Sequence, residues 1–162
     1  MTLVVFIFVK INQRHNKSSN IPNIKVKTAI YELLTYGKSS TSSGFVIFAG
    51  NSQFDYVQYS LEINGLLLWW PTIHKNGLER LSLCENILIK NGFNDIAVKK
   101  DILPETQIFS LQKGQYIILK DGLYAQVGKN IDEIRVLTIT LMSNIFGLND
   151  EEQYKITLKL NG

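Results

Sequence analysis

The chain has 162 residues, a formal net charge of +3, 45% hydrophobic side chains and 19% charged ones. That length suits one domain with a substantial core, and that composition excludes a disordered polymer. The charge is too small to argue for nucleic acid by itself, and a single cysteine, Cys84, cannot close an internal disulfide, so the fold needs no oxidising compartment.

The chain opens with an apolar run, Leu3 to Val9, of seven residues. A membrane-spanning helix needs about 20. No base precedes the run and no small-residue cleavage site follows it, so it is expected to form a strand of a cytoplasmic protein rather than a secretion signal. Residues 1–40 carry +5 and the remainder −2. Contact with an anionic membrane through residues 3–17 is one use for the basic arm, and a solvated tether is the simpler one. His15 to Asn20 is a polar linker. It divides residues 1–21 from a domain expected over 22–162.

Within that domain Val26, Ala29, Ile30, Leu33 and Leu34 fall on one stripe of a helix, and Gly37 stands at its expected end. KSSTSSG reads as a loop, and Phe45 to Ala49 as a strand closed by Gly50-Asn51-Ser52. Val57, Tyr59, Leu61 and Ile63 then alternate with Tyr56, Gln58, Ser60 and Glu62, a strand with one apolar face. Asn64-Gly65 predicts a two-residue hairpin turn. Such a turn sets Ile63 opposite Leu66, Leu61 opposite Leu68 and Tyr59 opposite Trp70. Leu67 and Trp69 then share the second face with Tyr56, Gln58 and Glu62. Either another element, such as the N-terminal run, covers that face, or it is a docking surface.

Pro71 ends this strand, and Leu78, Leu81, Cys84 and Leu88 continue at helical spacing up to Asn91-Gly92. Cys84, on the apolar stripe, is expected to be a packed small hydrophobe. Ile96 and Val98 predict a short strand before Pro104. Asp121-Gly122 predicts a second hairpin between Tyr116–Lys120 and Leu123–Val127. Asn130 and Glu133 form a capping-box pattern ahead of a third helix, which buries Ile134, Leu137, Leu141, Ile145 and Leu148 and stops near Gly147. Tyr154, Ile156, Leu158 and Leu160 alternate with Lys155, Thr157 and Lys159, a strand whose lysines suit an exposed edge. Helices interleaved with hairpins predict an α+β fold with a mainly antiparallel sheet.

No chemical motif emerges. Phosphate-binding glycine loops are missing, and two histidines with one cysteine give no metal-ligand spacing. Asp55 and Glu62 are an odd number of positions apart on one strand, so they face opposite sides and form no carboxylate pair. His74 is expected to be a solvated loop histidine, and Glu151 and Glu152 a solvated turn. The chain is therefore expected to have no catalytic residues, no metal and no cofactor. A stacking surface for nucleic acid is disfavoured, because Asp55 and Glu62 flank Tyr56 and Trp69 where lysine and arginine would be needed.

The run SGFVIFAGNSQFDYVQYSLEINGLLLWW resembles TY-Chap domains and their relatives with the type III secretion chaperone-like fold. Tyr56-Val57-Gln58-Tyr59 is similar to their YVQF-like strand, Gly92-Phe93 to their helix stop, and Asn144-Ile145-Phe146-Gly147 to their final helix end. The resemblance covers residues 23–148. An acidic residue expected early in the third strand is missing, since Leu66 to Trp70 is wholly apolar. The resemblance implies a non-enzymatic fold that dimerises and binds extended protein segments. Leu67, Trp69 and Tyr56 would then accept an apolar anchor, with Gln58 and Glu62 as the polar rim. An enzyme with an unrecognised site is the rival, and a deep pocket with converging polar groups would mark it.

Overall fold

A computed structural model describes residues 25–37, 44–96 and 108–160. The expectations for residues 1–24, for the serine-rich loop 38–43 and for Val98 and Pro104 lie outside these. The elements run α1 (Val26–Tyr36), β1 (Phe45–Ala49), β2 (Tyr56–Glu62), β3 (Gly65–Pro71), α2 (Lys75–Glu79) and α3 (Leu81–Lys90). They continue with β4 (Asn94–Asp95), β5 (Gln115–Leu119), β6 (Gly122–Gly128), α4 (Ile131–Phe146), a 3-10 turn (Glu151–Gln153) and β7 (Lys155–Lys159). The seven strands form one sheet in the order β4-β5-β6-β3-β2-β1-β7. Every pairing is antiparallel except β4 with β5. The protein is α+β, as its periodicities predict.

The first face of the sheet carries the main core. Val46, Phe48, Val57, Tyr59, Leu66, Leu68 and Trp70 meet Ile30 and Leu33 of α1, Cys84 and Leu88 of α3, and Ile134, Leu137 and Leu141 of α4. Tyr59 stands in its centre, its hydroxyl 2.8 Å from Thr138 Oγ1, which donates to the Ile134 carbonyl at 2.7 Å. Asn130 caps α4 by accepting from the Glu133 N–H at 3.1 Å, while the Glu133 carboxylate pairs with Lys113 at 2.6 Å. Gly147, at φ 69°, ends the helix in the left-handed region.

Both hairpin turns sit one residue earlier than expected. Glu62 pairs with Gly65, so Ile63-Asn64 make the first turn; Leu119 pairs with Gly122, so Lys120-Asp121 make the second. Leu61 therefore faces Leu66, and Tyr59 faces Leu68. The physical reason lies in the neighbouring strands. A Cβ at Gly65, whose φ is 127°, would run into the backbone of Gly128 on β6, and one at Gly122 would stand 2.5 Å from the Trp70 carbonyl. Those glycines serve close strand approach and leave the turns to other residues. Ile63, expected in the core, lies in the turn with 72% of its surface exposed.

The helix expected through Leu78 and Leu88 is two helices. The chain bends at Arg80, whose guanidinium meets Asp55 at 2.6 Å, and Leu78 faces solvent. Cys84 is fully buried, and that burial pushes its thiol far above the usual range, so it is a packed hydrophobe. The short strand in this region is Asn94–Asp95, ahead of Ile96, which lies outside it. No helix among the described residues is long and apolar enough to cross a membrane.

Candidate functional site

The second face of the sheet holds the residues proposed for docking, and parity places them there as expected, because the register offset is even. Gln58 lies opposite Trp69, and Ser60 opposite Leu67. On β6, Tyr124 follows beside Trp69 and Gln126 beside Leu67.

The structure does not leave these residues as one open surface. Leu67 (4% exposed) and Trp69 (3%) are buried in a second cluster with Ile117 and Tyr124 of the sheet and with Ile108 and Leu111, which close over them. Two of the three residues expected to accept an apolar anchor, Leu67 and Trp69, are thus covered by the chain's own side chains. Cover by another element was one of the two readings the sequence left open, but the covering residues could not be named, because they are some 40 positions away and belong to no amphipathic pattern. Tyr124 donates to Asp121 Oδ2 at 2.6 Å, and burial, reinforced by that carboxylate, drives its phenol well above the ordinary range.

The remaining three candidates lie on the β1–β2 half of the face. Gln58 is buried, and its Nε2 has no hydrogen-bond partner among the described residues. Tyr56 is half-buried, and desolvation pushes its phenol up to about 12. Glu62 is half-buried too; burial raises its carboxyl, and the Ser60 hydroxyl, donating at 3.2 Å, partly offsets this. Beside Glu62 a groove of about 300 Å³ runs between α1 and the hairpin tip, lined by Tyr31, Leu34, Leu61, Ile63 and Ile131.

A larger cleft of about 640 Å³ lies between the α3 stop, at Gly92 and Phe93, and the first turn of α4. Its carboxylates are already neutralised: Asp132 by Lys27 at 3.2 Å and Glu133 by Lys113 at 2.6 Å. Two separate ion pairs offer no acid–base couple of the kind catalysis needs. Asp55 is held by Arg80 and Glu151 by Arg135, the latter at 2.8 Å, so the expected solvated turn is tied to α4. No group of three metal-ligating side chains converges among the described residues.

At the end of the sheet stands β7. Its partner β1 occupies one side, and no described strand occupies the other. Register with Ala49, Ile47 and Phe45 puts Lys155, Thr157 and Lys159 on the second face, while Ile156 and Leu158 pack half-buried against the main core. Comparison of the chain with protein-family models, with curated proteins and with solved structures returns no match.

Proposed function

We propose that the protein is a cytoplasmic, non-enzymatic, chaperone-like binding module that holds an extended segment of a partner protein as an added strand beside β7. The carrying observation is the edge itself: five residues of regular strand with no described neighbour on the outer side. Such an edge offers main-chain N–H and C=O groups to an incoming strand. Neither Lys155 nor Lys159 is in an ion pair among the described residues. They stand four positions apart on one face, which suits a segment with acidic side chains at the same spacing. A second copy of this chain is a poorer occupant of the edge, because antiparallel pairing about Thr157 would set Lys155 against Lys159. One buried cysteine and no disulfide suit a reducing compartment.

Selection of displayed random peptides against the full chain tests this. Support is enrichment of sequences with acidic residues four apart, whose affinity falls about tenfold or more on the paired substitution Lys155→Glu and Lys159→Glu. Enriched peptides that bind this variant as tightly as the parent, or a selection that enriches none, would refute it.

A further inference from the structure

Two hydrogen bonds meet at Gly77 in α2, one to its own N-cap and one from the end of β3. The Gly77 N–H donates to His74 Nδ1 at 3.0 Å, and the Gly77 carbonyl accepts from Trp70 Nε1 at 3.0 Å. Gly77 is buried, and a Cβ there would collide with the Pro71 carbonyl. Because Nδ1 accepts a hydrogen bond, the imidazole is neutral and its proton is on Nε2. That nitrogen is buried and has no hydrogen-bond partner among the described residues. The ring rests against Phe54 at 5.0 Å and Tyr56 at 6.4 Å, so His74 is not the solvated loop residue its sequence position suggests.

An imidazolium would find no support here. From the β1–β2 loop comes Asp55, already bound to Arg80 at 2.6 Å, and Arg80 also lies 5.1 Å over the Phe146 ring. From α2 come Lys75 and Glu79, paired with each other at 3.6 Å in solvent. From β2 comes Tyr56, whose phenol stays neutral well above physiological pH. From the end of β3 come only Trp70 and Pro71. From the β5–β6 turn come Lys120 and Asp121, bonded to Thr72 through their carbonyls, with the Asp121 carboxylate taken by Tyr124. Among the described residues no carboxylate is paired with the ring.

We propose that His74 is a proton-operated latch: neutral, it caps the start of α2 at Gly77, the same residue that Trp70 binds; protonated at Nδ1, it loses its acceptor, the cap opens and Gly77 loosens from Trp70. Loosening frees the Trp70 indole N–H and uncovers its stack on Phe146, 5.8 Å away. The direction agrees with desolvation, which lowers the histidine from its ordinary value of 6.5. A histidine lowered on folding contributes stability above its unfolded value, and that contribution erodes as pH falls below it. Opening therefore becomes favoured by up to about tenfold per pH unit below 6.5.

Amide exchange and indole N–H signals of the full chain, followed by NMR from pH 7.5 to 5, test the latch. After correction for intrinsic exchange, Gly77 should lose protection together with the Trp70 indole, while Trp69 and the β6 amides keep theirs. His74→Asn retains a capping oxygen without a titrating ring, and it should keep Gly77 protected throughout. Gly77 protection unchanged down to pH 5 in the parent, or the same pH profile in His74→Asn, would overturn the proposal.

Discussion

Replacing Thr138 by valine should cost more than removing the Tyr59 hydroxyl that it touches. The Thr138 hydroxyl has one proton, and it goes to the Ile134 carbonyl at 2.7 Å. The 2.8 Å contact must therefore be donated by Tyr59, which is fully buried. Thr138→Val strands that donor in an apolar core and should cost about 2 kcal/mol, the price of an unsatisfied buried hydroxyl. Tyr59→Phe removes the donor and leaves Thr138 bonded to its helix, at about 1 kcal/mol. The double variant leaves nothing stranded, so it should fall short of the summed costs by about 1–2 kcal/mol. Urea unfolding reads this directly. With a slope of roughly 2 kcal/mol/M, Thr138→Val should lower the midpoint by about 1 M and Tyr59→Phe by half that. Equal losses, a reversed order, or additive losses would refute the assigned direction of the bond.

Gly77→Ala drives a methyl group into the Pro71 carbonyl and should destabilise by about 2 kcal/mol or more, measured as a lowered urea midpoint. Gln58→Leu replaces a buried amide whose Nε2 has no partner among the described residues, so thermal unfolding should show a neutral to slightly raised midpoint where most buried substitutions lower it. Glu62→Gln should stabilise at pH 7. Burial raises the Glu62 carboxyl, so its contribution is favourable below the unfolded value of 4.5 and is lost as pH rises through the folded one. The advantage of Gln should then vanish near pH 4, and an advantage that persists there would count against this cause.

Much of the architecture is written in local periodicity. β1, the faces of β2 and β3, the Asn130 cap of α4, and the edge lysines of β7 all follow from side-chain alternation or capping chemistry. What local reading misplaced depends on partners distant in the chain. Asn64-Gly65 and Asp121-Gly122 look like turns, yet each glycine is required by a strand running beside it, Gly65 by Gly128 and Gly122 by Trp70. Face assignment survived because the error in register was even. The docking face fared worse. Alternation correctly put Leu67 and Trp69 on the far side of the sheet, but nothing in residues 54–70 reveals that Ile108 and Leu111 lie above them. His74 was obscured for a similar reason: a lone histidine before a short helix signals a cap only once Gly77 is seen beneath it.

β3 is buried along its whole length, from Gly65 to Pro71. Emerging from a ribosome, LLLWW can pair at once with β2, but its other flank stays open until β6 is made, through residue 128. For that interval the nascent chain displays an uncharged, leucine- and tryptophan-rich ribbon of the kind that seeds intermolecular stacking. Slow elongation between these two strands should therefore lower soluble yield more than a pause placed after residue 128.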